Sequence, residues 1–125
     1  MSSSSTSNDL SEFDQESWEF EFLVESHYDH AGIWEAVIMA RDKDRWVTRK
    51  RILLGLRHLM ELDLIEAGYP TPDGKGFEPM TGSPEMIIKW IEREWVKLGH
   101  DPYLGDIVWF IATPKGDRVV RASGK

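Results

Sequence analysis

The feature that most constrains the fold of this chain is a segment with complete signals for the start and the end of one helix. Ser83 is a favourable N-cap residue, Pro84 fits the first helical position, and Glu85 carries the negative charge that a helix N-terminus favours. Gly99 suits the position just past the last turn. Apolar residues recur between these limits at helical spacing, namely Ile87, Ile88, Ile91, Trp95 and Leu98. The segment therefore predicts an amphipathic helix with one buried face.

Three more helices are predicted from similar signals. Asp29 is a candidate N-cap for a helix with apolar residues at positions 33, 34, 37, 38 and 40. Thr48 is a candidate N-cap for a helix that ends near Glu61, and its core-facing residues are Ile52, Leu53, Leu56, Leu59 and Met60. Thr113 followed by Pro114 predicts the start of a terminal helix.

Strands are predicted at three places. The period-two alternation WEFEFLV from Trp18 favours a short, half-buried strand. LDLIEAGY, residues 62–69, predicts a second, short strand that ends at Gly68, and TPDGKGF after it is typical of a hairpin turn. The apolar run 106–113 predicts a third. The Ser-rich, acidic leader at residues 1–17 is predicted to be disordered, and residues 18–125 are predicted to form one α+β domain.

The charge is unevenly distributed along the chain. The formal net charge is −7, but the first 35 residues contain nine of the 22 acids and no Lys or Arg. The other 90 residues therefore hold 13 acids against all 15 bases. Three bases, Arg49, Lys50 and Arg51, begin the helix that Thr48 caps, where the helix dipole disfavours positive charge. This placement indicates either a binding surface or a solvated face that pairs with Asp42, Asp44 and the acidic leader.

Two stretches resemble motifs of winged helix-turn-helix domains of the MarR/PadR type. LMELDLIEAG, residues 59–68, is similar to the strand entry that follows the recognition helix, with Asp63 where the family usually has Gly. FIATPKG, residues 110–116, is similar to the strand-to-helix junction after the wing, with Ala112 in a leucine position. The resemblance implies a winged-helix-like α+β fold with three to four helices, a small antiparallel sheet and an extended wing.

The same resemblance implies a DNA-binding, small bacterial regulator of transcription that works in the cytoplasm. The helix after Thr48 is then the recognition helix, and its N-terminal part contacts base edges and phosphates. The residues expected to contact double-stranded DNA are Arg45, Arg49, Lys50, Arg51, Arg57 and, from the wing, Lys75. The acidic leader is expected to screen this basic face.

Two departures from the family pattern favour a protein-interaction module on the same fold, such as an adaptor, an antirepressor or an inhibitor. Only about 18 residues separate the end of the helix after Asp29 from the strand at Leu62, which is tight for two further helices. The middle helix is therefore expected to be a turn around residues 43–47 or to be fused to the next helix. The helix Pro84–Leu98 is an insertion in the wing. A protein partner or a second copy would contact Trp46, Leu54 and His58, although Trp46 also suits a residue that caps the core.

Enzymatic, metal and membrane functions receive little support. No nucleophile elbow or spaced carboxylate pair is present, and DGKG, residues 73–76, is too short for a phosphate-binding loop. His27 and His30 are close in sequence but lack further nearby ligands, so a helix-entry turn is the expected role. The absence of cysteine excludes disulfides and suits the cytoplasm, and no apolar run reaches the roughly 18 residues that span a bilayer. No cofactor is expected.

Overall fold

The computed structural model describes residues 14–125, so the predictions for residues 1–13 of the leader lie outside the described part. The helices are α1 (Trp18–Tyr28), α2 (Ile33–Lys43), α3 (Arg49–Glu61), α4 (Pro84–Leu98) and α5 (Pro114–Ala122). The strands are β1 (Ala31–Gly32), β2 (Ile65–Pro70), β3 (Phe77–Pro79) and β4 (Trp109–Ala112).

The four strands form one antiparallel sheet in the order β1-β4-β2-β3. β4 pairs with β1 on one side, where Ala31 faces Phe110, and with β2 on the other, where Ile65 faces Ala112. β2 and β3 form the predicted hairpin around the TPDGKGF turn. The predicted α+β class is confirmed, and the arrangement is consistent with a winged-helix-like fold, with five helices among residues 14–125 instead of three to four.

The predicted strand at Trp18 is wrong, because this segment forms helix α1. Ser17 caps the helix, and its hydroxyl accepts a 3.2 Å hydrogen bond from Phe20 N. Both Phe20 and Phe22 are buried, although they point in very different directions on a helix. This is possible because α1 is packed against α2, α5, β4 and α3 at once. A helix that is buried on several sides has no single apolar stripe, so its apolar and polar residues can alternate as they do in a strand.

The helical nature of α1 also removes the spacing problem that the sequence raised. α1, α2 and α3 supply three helices before the hairpin, and α2 is the middle one. Residues 44–48 form only the connection between α2 and α3, so neither a middle helix reduced to a turn nor a fused helix is needed. The predicted helix after Asp29 is therefore the second of three.

Most predicted helix limits are confirmed, with one exception. The side chains of Thr48, Ser83 and Thr113 cap α3, α4 and α5, and Gly99 ends α4 in the left-handed conformation. Asp29 instead follows the end of α1, where its N–H donates to Glu25 O. Gly32 is the N-cap of α2, because Ala31 and Gly32 first pair with β4 as β1.

The two stretches that resemble winged-helix motifs lie against each other. Asp63 takes a left-handed backbone conformation with φ of 60°, as expected for a position where glycine is usual. Its carbonyl accepts a 2.6 Å hydrogen bond from Thr113 Oγ1, and Thr113 N donates to Leu64 O at 3.0 Å. These two hydrogen bonds join the exit from α3 to the entry of α5.

Candidate interaction site on helix α3

The N-terminal end of α3 is an exposed basic surface. Thr48 Oγ1 accepts a 3.1 Å hydrogen bond from Arg51 N and caps the helix. Arg45 in the turn before the cap is exposed, and so are Arg49 and Lys50 after it. Across residues 14–125, no carboxylate lies within ion-pair distance of these three side chains. They are therefore available to a ligand of negative charge.

Trp46 lies on the same turn and is 78% exposed, so the interpretation that it caps the core is wrong. The physical reason is the conformation of the turn, in which Trp46 N donates a 3.0 Å hydrogen bond to Asp44 Oδ1. The indole is held away from the core, and the guanidinium of Arg45 lies 5.0 Å from the centre of its ring. An exposed Trp beside cations that form no ion pair within residues 14–125 suits a partner with both apolar and acidic groups.

Helix α1 covers one flank of α3. Gly55 allows this approach, because a Cβ there would lie 2.5 Å from Trp18 Cζ2. At the edge of the contact, Arg51 Nη2 lies 2.7 Å from Glu19 Oε2. One of the residues predicted to contact DNA is thus held by an acid of the chain itself.

Helix α4 covers the other flank and runs antiparallel to α3. Near its N-terminus Glu85 lies 4.0 Å from Arg57 Nη2, and near its C-terminus Trp95 lines a small cavity together with Arg49. Arg57 also donates a 2.8 Å hydrogen bond from Nε to Glu61 Oε2. This hydrogen bond is the main reason that the pKa of Arg57 is raised, and the charges of Glu61 and Glu85 add to it. Arg57 is therefore a second predicted DNA contact that acids of the chain surround.

A groove of about 240 Å³ lies between α3 and α4. Its apolar part consists of Leu53, Leu54 and Ile88. Its charged residues are Lys50, Arg57, Lys89, Glu85 and Glu92. Leu54 is 59% exposed, although a leucine is usually buried. The α3–α4 groove therefore combines an accessible apolar side chain with charges of both signs.

The two remaining predicted site residues, His58 and Lys75, lie in different parts of the structure. His58 is exposed on α3, as the protein-interaction alternative requires. Lys75 is exposed on the β2–β3 turn and does not line the α3–α4 groove. Its N–H donates a 3.0 Å hydrogen bond to Asp73 Oδ1, which also accepts from Thr71 Oγ1. These two hydrogen bonds, that from Thr71 first, hold the pKa of Asp73 below its ordinary value.

Sequence reasoning missed Glu19, Glu85 and Glu92 as parts of the site. No local signal identifies them, because Glu19 is 32 residues from its partner Arg51 and Glu85 is 28 residues from Arg57. The apolar stripe of α4 predicted that this helix packs against something, but it did not identify α3 as the neighbour. That pairing is a property of the tertiary structure.

The two histidines at the end of α1 have separate partners. His27 Nδ1 lies 2.8 Å from Asp117 Oδ1, and the ring of His30 is stacked on Phe77 with centroids 5.4 Å apart. Within residues 14–125, no three His, Cys, Asp or Glu side chains come together as a metal site requires. In the same range, no helix has the length and the apolar character needed to cross a membrane.

The fold and the site together define an α+β domain that presents one amphipathic helix, α3, between two neighbouring helices that carry acids. No protein-family profile, curated protein sequence or solved structure matches the chain.

Proposed function

We propose that this chain is a non-catalytic, winged-helix-like module that binds a protein partner through the exposed face of α3 and the α3–α4 groove. The observation that carries this proposal is the position of α4, which lies along α3 and brings Glu85 to Arg57. An adaptor, an antirepressor or an inhibitor of another protein would use such a surface.

The dimensions of DNA support a protein partner for this face. The major groove is about 12 Å wide and admits one α-helix, whose diameter with side chains is about 10–12 Å. Helix α4 runs beside α3, and on the side of the α3–α4 groove it carries one base, Lys89, and two acids, Glu85 and Glu92. To enter a major groove, α3 would have to bring these acids close to phosphates. A protein surface imposes no such limit.

The exposed apolar residues support the same proposal. Trp46 is 78% exposed and Leu54 is 59% exposed, and both are on or next to α3. Large apolar and aromatic side chains that are surrounded by polar groups are typical anchors of protein interfaces. Burying them in a partner would stabilise the complex more than contacts of the solvated charges around them.

The experiment is site-specific photo-crosslinking in cells that produce this protein. A photoreactive amino acid replaces Leu54, and in a matched control it replaces Arg118, which is exposed on α5, a helix that packs on α1 and β4. We expect discrete protein adducts from position 54, identified by mass spectrometry, and none from position 118. Equal adducts from both positions, or none from position 54, would contradict the proposal.

DNA binding is the second candidate function, and a different observation favours it. Arg49 and Lys50 are exposed in the first turn of α3, the part of a recognition helix that contacts base edges, and Arg45 is exposed in the turn before it. Their lack of acidic partners within residues 14–125 leaves their charges available to phosphates.

Fluorescence anisotropy with random-sequence duplex DNA at about 50 mM salt tests this candidate, because phosphate contacts are strong at low salt. If DNA is the ligand, the double change Arg49→Glu and Lys50→Glu abolishes binding, whereas Arg118→Glu, which alters charge at a distant site, leaves most of it. Absence of binding by the unaltered chain removes DNA as a candidate.

A further inference from the structure

We propose that the protein that occupies this face is a second copy of the chain, in a two-fold symmetric dimer in which α3 of each copy lies in the α3–α4 groove of the other. This inference rests on the proposed function and specifies its partner.

The first argument is the order of residues along the exposed side of α3. Lys50, Leu54, Arg57 and Glu61 follow each other at spacings of four, three and four residues, so they form one stripe over three helical turns. The stripe begins with a basic residue and ends with an acidic one. A two-fold axis that runs perpendicular to α3, between the two copies, makes the helices antiparallel. Lys50 of each copy then faces Glu61 of the other.

The second argument is the middle of the stripe. An antiparallel pair centred between Leu54 and Arg57 places Leu54 of one copy against the aliphatic stem of Arg57 and the apolar part of the groove in the other. Besides Leu54, that apolar part consists of Leu53 and Ile88, which are 3% and 8% exposed. The contact would cover Leu54, the most exposed apolar residue of α3 itself.

The third argument is the charge of the α3–α4 groove. Its residues include three bases, Lys50, Arg57 and Lys89, and two acids, Glu85 and Glu92. A strongly acidic or strongly basic partner would meet like charges at some of these positions. A second copy brings the same mixture in reversed order, so that charges of opposite sign can face each other across the axis.

The size of the face sets the expected affinity. Helices of 13 and 15 residues are each about 20 Å long, so two such helices cover less than the roughly 800 Å² per partner of a standard stable interface. We therefore expect a weak dimer that forms as the protein concentration rises, not a permanent one.

Sedimentation velocity of the 125-residue chain over a series of concentrations, from micromolar to near-millimolar, tests the inference. We expect the mass of the unaltered chain to rise from that of a monomer towards that of a dimer. Leu54→Asp should keep the chain monomeric throughout, while Arg118→Glu should leave the dimer intact. Far-UV circular dichroism and thermal melting verify that each variant is folded. A monomer at every concentration, or a dimer that Leu54→Asp leaves unchanged, overturns the inference.

A charge exchange tests the antiparallel arrangement itself. Lys50→Glu places two acids opposite each other and should weaken the dimer at least tenfold. Adding Glu61→Lys to the same chain restores opposite charges across the axis and should restore dimerisation to within a few fold. Failure of the double variant to recover, while it remains folded, overturns the arrangement.

Because the chain has no cysteine, one introduced thiol can test directly whether position 54 of one copy lies near position 54 of the other. Leu54→Cys introduces a single thiol, so a short bismaleimide can join two copies only through this position. We expect a crosslinked dimer from Leu54→Cys and none from Arg118→Cys. If the unaltered chain remains monomeric but photo-crosslinking at position 54 captures a different protein, the dimer is wrong and the proposed function stands. If neither the bismaleimide nor photo-crosslinking at position 54 gives a product, the dimer and the proposed function are both wrong.

Discussion

Arg51 in helix α3 and Glu19 in helix α1 form an ion pair in which Nη2 lies 2.7 Å from Oε2. The contact joins the acid-rich N-terminal part of the chain to the basic beginning of α3. It shows how a chain with a net charge of −7 accommodates a run of three bases, since part of that positive charge is balanced across the α1–α3 contact. The Glu19 side chain is only 12% exposed, whereas that of Arg51 is 49% exposed.

Because of this difference in exposure, we expect replacement of Arg51 to cost more stability than replacement of Glu19. Arg51→Ala leaves a largely buried carboxylate without its partner and should lower the free energy of unfolding by about 1 kcal/mol. Glu19→Gln leaves only an exposed guanidinium and should cost less. A double-mutant cycle measured by urea unfolding should give a coupling energy of about 0.5–1 kcal/mol. Strictly additive single effects would contradict a stabilising contact between these residues.

The space around Gly55 shows how closely α1 and α3 approach each other. A Cβ at this position would lie 2.5 Å from Trp18 Cζ2 and 2.9 Å from Glu19 Oε2. Gly55→Ala raises helix propensity by about 1 kcal/mol, but we expect the overlap to cost about 1–3 kcal/mol and to outweigh that gain. Thermal unfolding should show a lower Tm, whereas Arg93→Ala on the exposed side of α4 should change stability by less than about 0.5 kcal/mol. A stabilised Gly55→Ala variant would mean that the two helices can separate without cost.

Local signals in the sequence were sufficient for the starts of α3, α4 and α5. Thr48, Ser83 and Thr113 each accept a hydrogen bond from the backbone N–H three residues later, and this geometry depends only on the residues next to the cap. Asp63 was marked by its place in a motif where glycine is usual, and its positive φ agrees with that. These features were predictable because few distant residues influence them.

Non-local features were not predictable in the same way. The alternation at Trp18 comes from a helix that is covered on several sides, and only the packed structure supplies that cover. Arg57 has one partner on its own helix, Glu61, which helical spacing would suggest, and one on α4, Glu85, which it would not. The six predicted DNA contacts therefore separate into exposed cations and internally paired ones only when the neighbours of α3 are known.

We expect Thr113 to stabilise the junction between β4 and α5 through its side-chain hydrogen bonds. Its Oγ1 accepts a 2.9 Å hydrogen bond from Gly116 N and donates a 2.6 Å hydrogen bond to Asp63 O, and the residue is buried. Thr113→Val keeps the shape but loses both hydrogen bonds, so we expect a loss of about 2–3 kcal/mol in the free energy of unfolding. Ser83→Ala removes only an exposed N-cap and should cost about 1 kcal/mol. Urea unfolding of the two variants compares these losses, and equal losses would mean that the contact with Asp63 contributes nothing.

The raised pKa of Glu35 predicts that the free energy of unfolding depends on pH. Burial raises the pKa of its carboxyl above the ordinary value, Gly32 N opposes this by donating a 3.0 Å hydrogen bond to Oε2, and the charges of Glu25 and Asp29 raise it further. Between the unfolded and the folded pKa, the folded chain binds more protons than the unfolded chain. The contribution of Glu35 to the free energy of unfolding is therefore largest at low pH and is lost as pH rises through the folded pKa.

Glu35→Gln tests this sign because the amide cannot titrate, while its oxygen can still accept the hydrogen bond from Gly32 N. We expect the stability of Glu35→Gln relative to the unaltered chain to increase as pH rises from below the ordinary value of 4.5 to neutrality. Urea unfolding at several pH values gives this difference directly. Glu35→Ala, which loses the hydrogen bond as well, should show the same pH dependence with a lower stability at every pH. Parallel pH profiles for the unaltered chain and Glu35→Gln would mean that burial of the carboxyl does not penalise its charge.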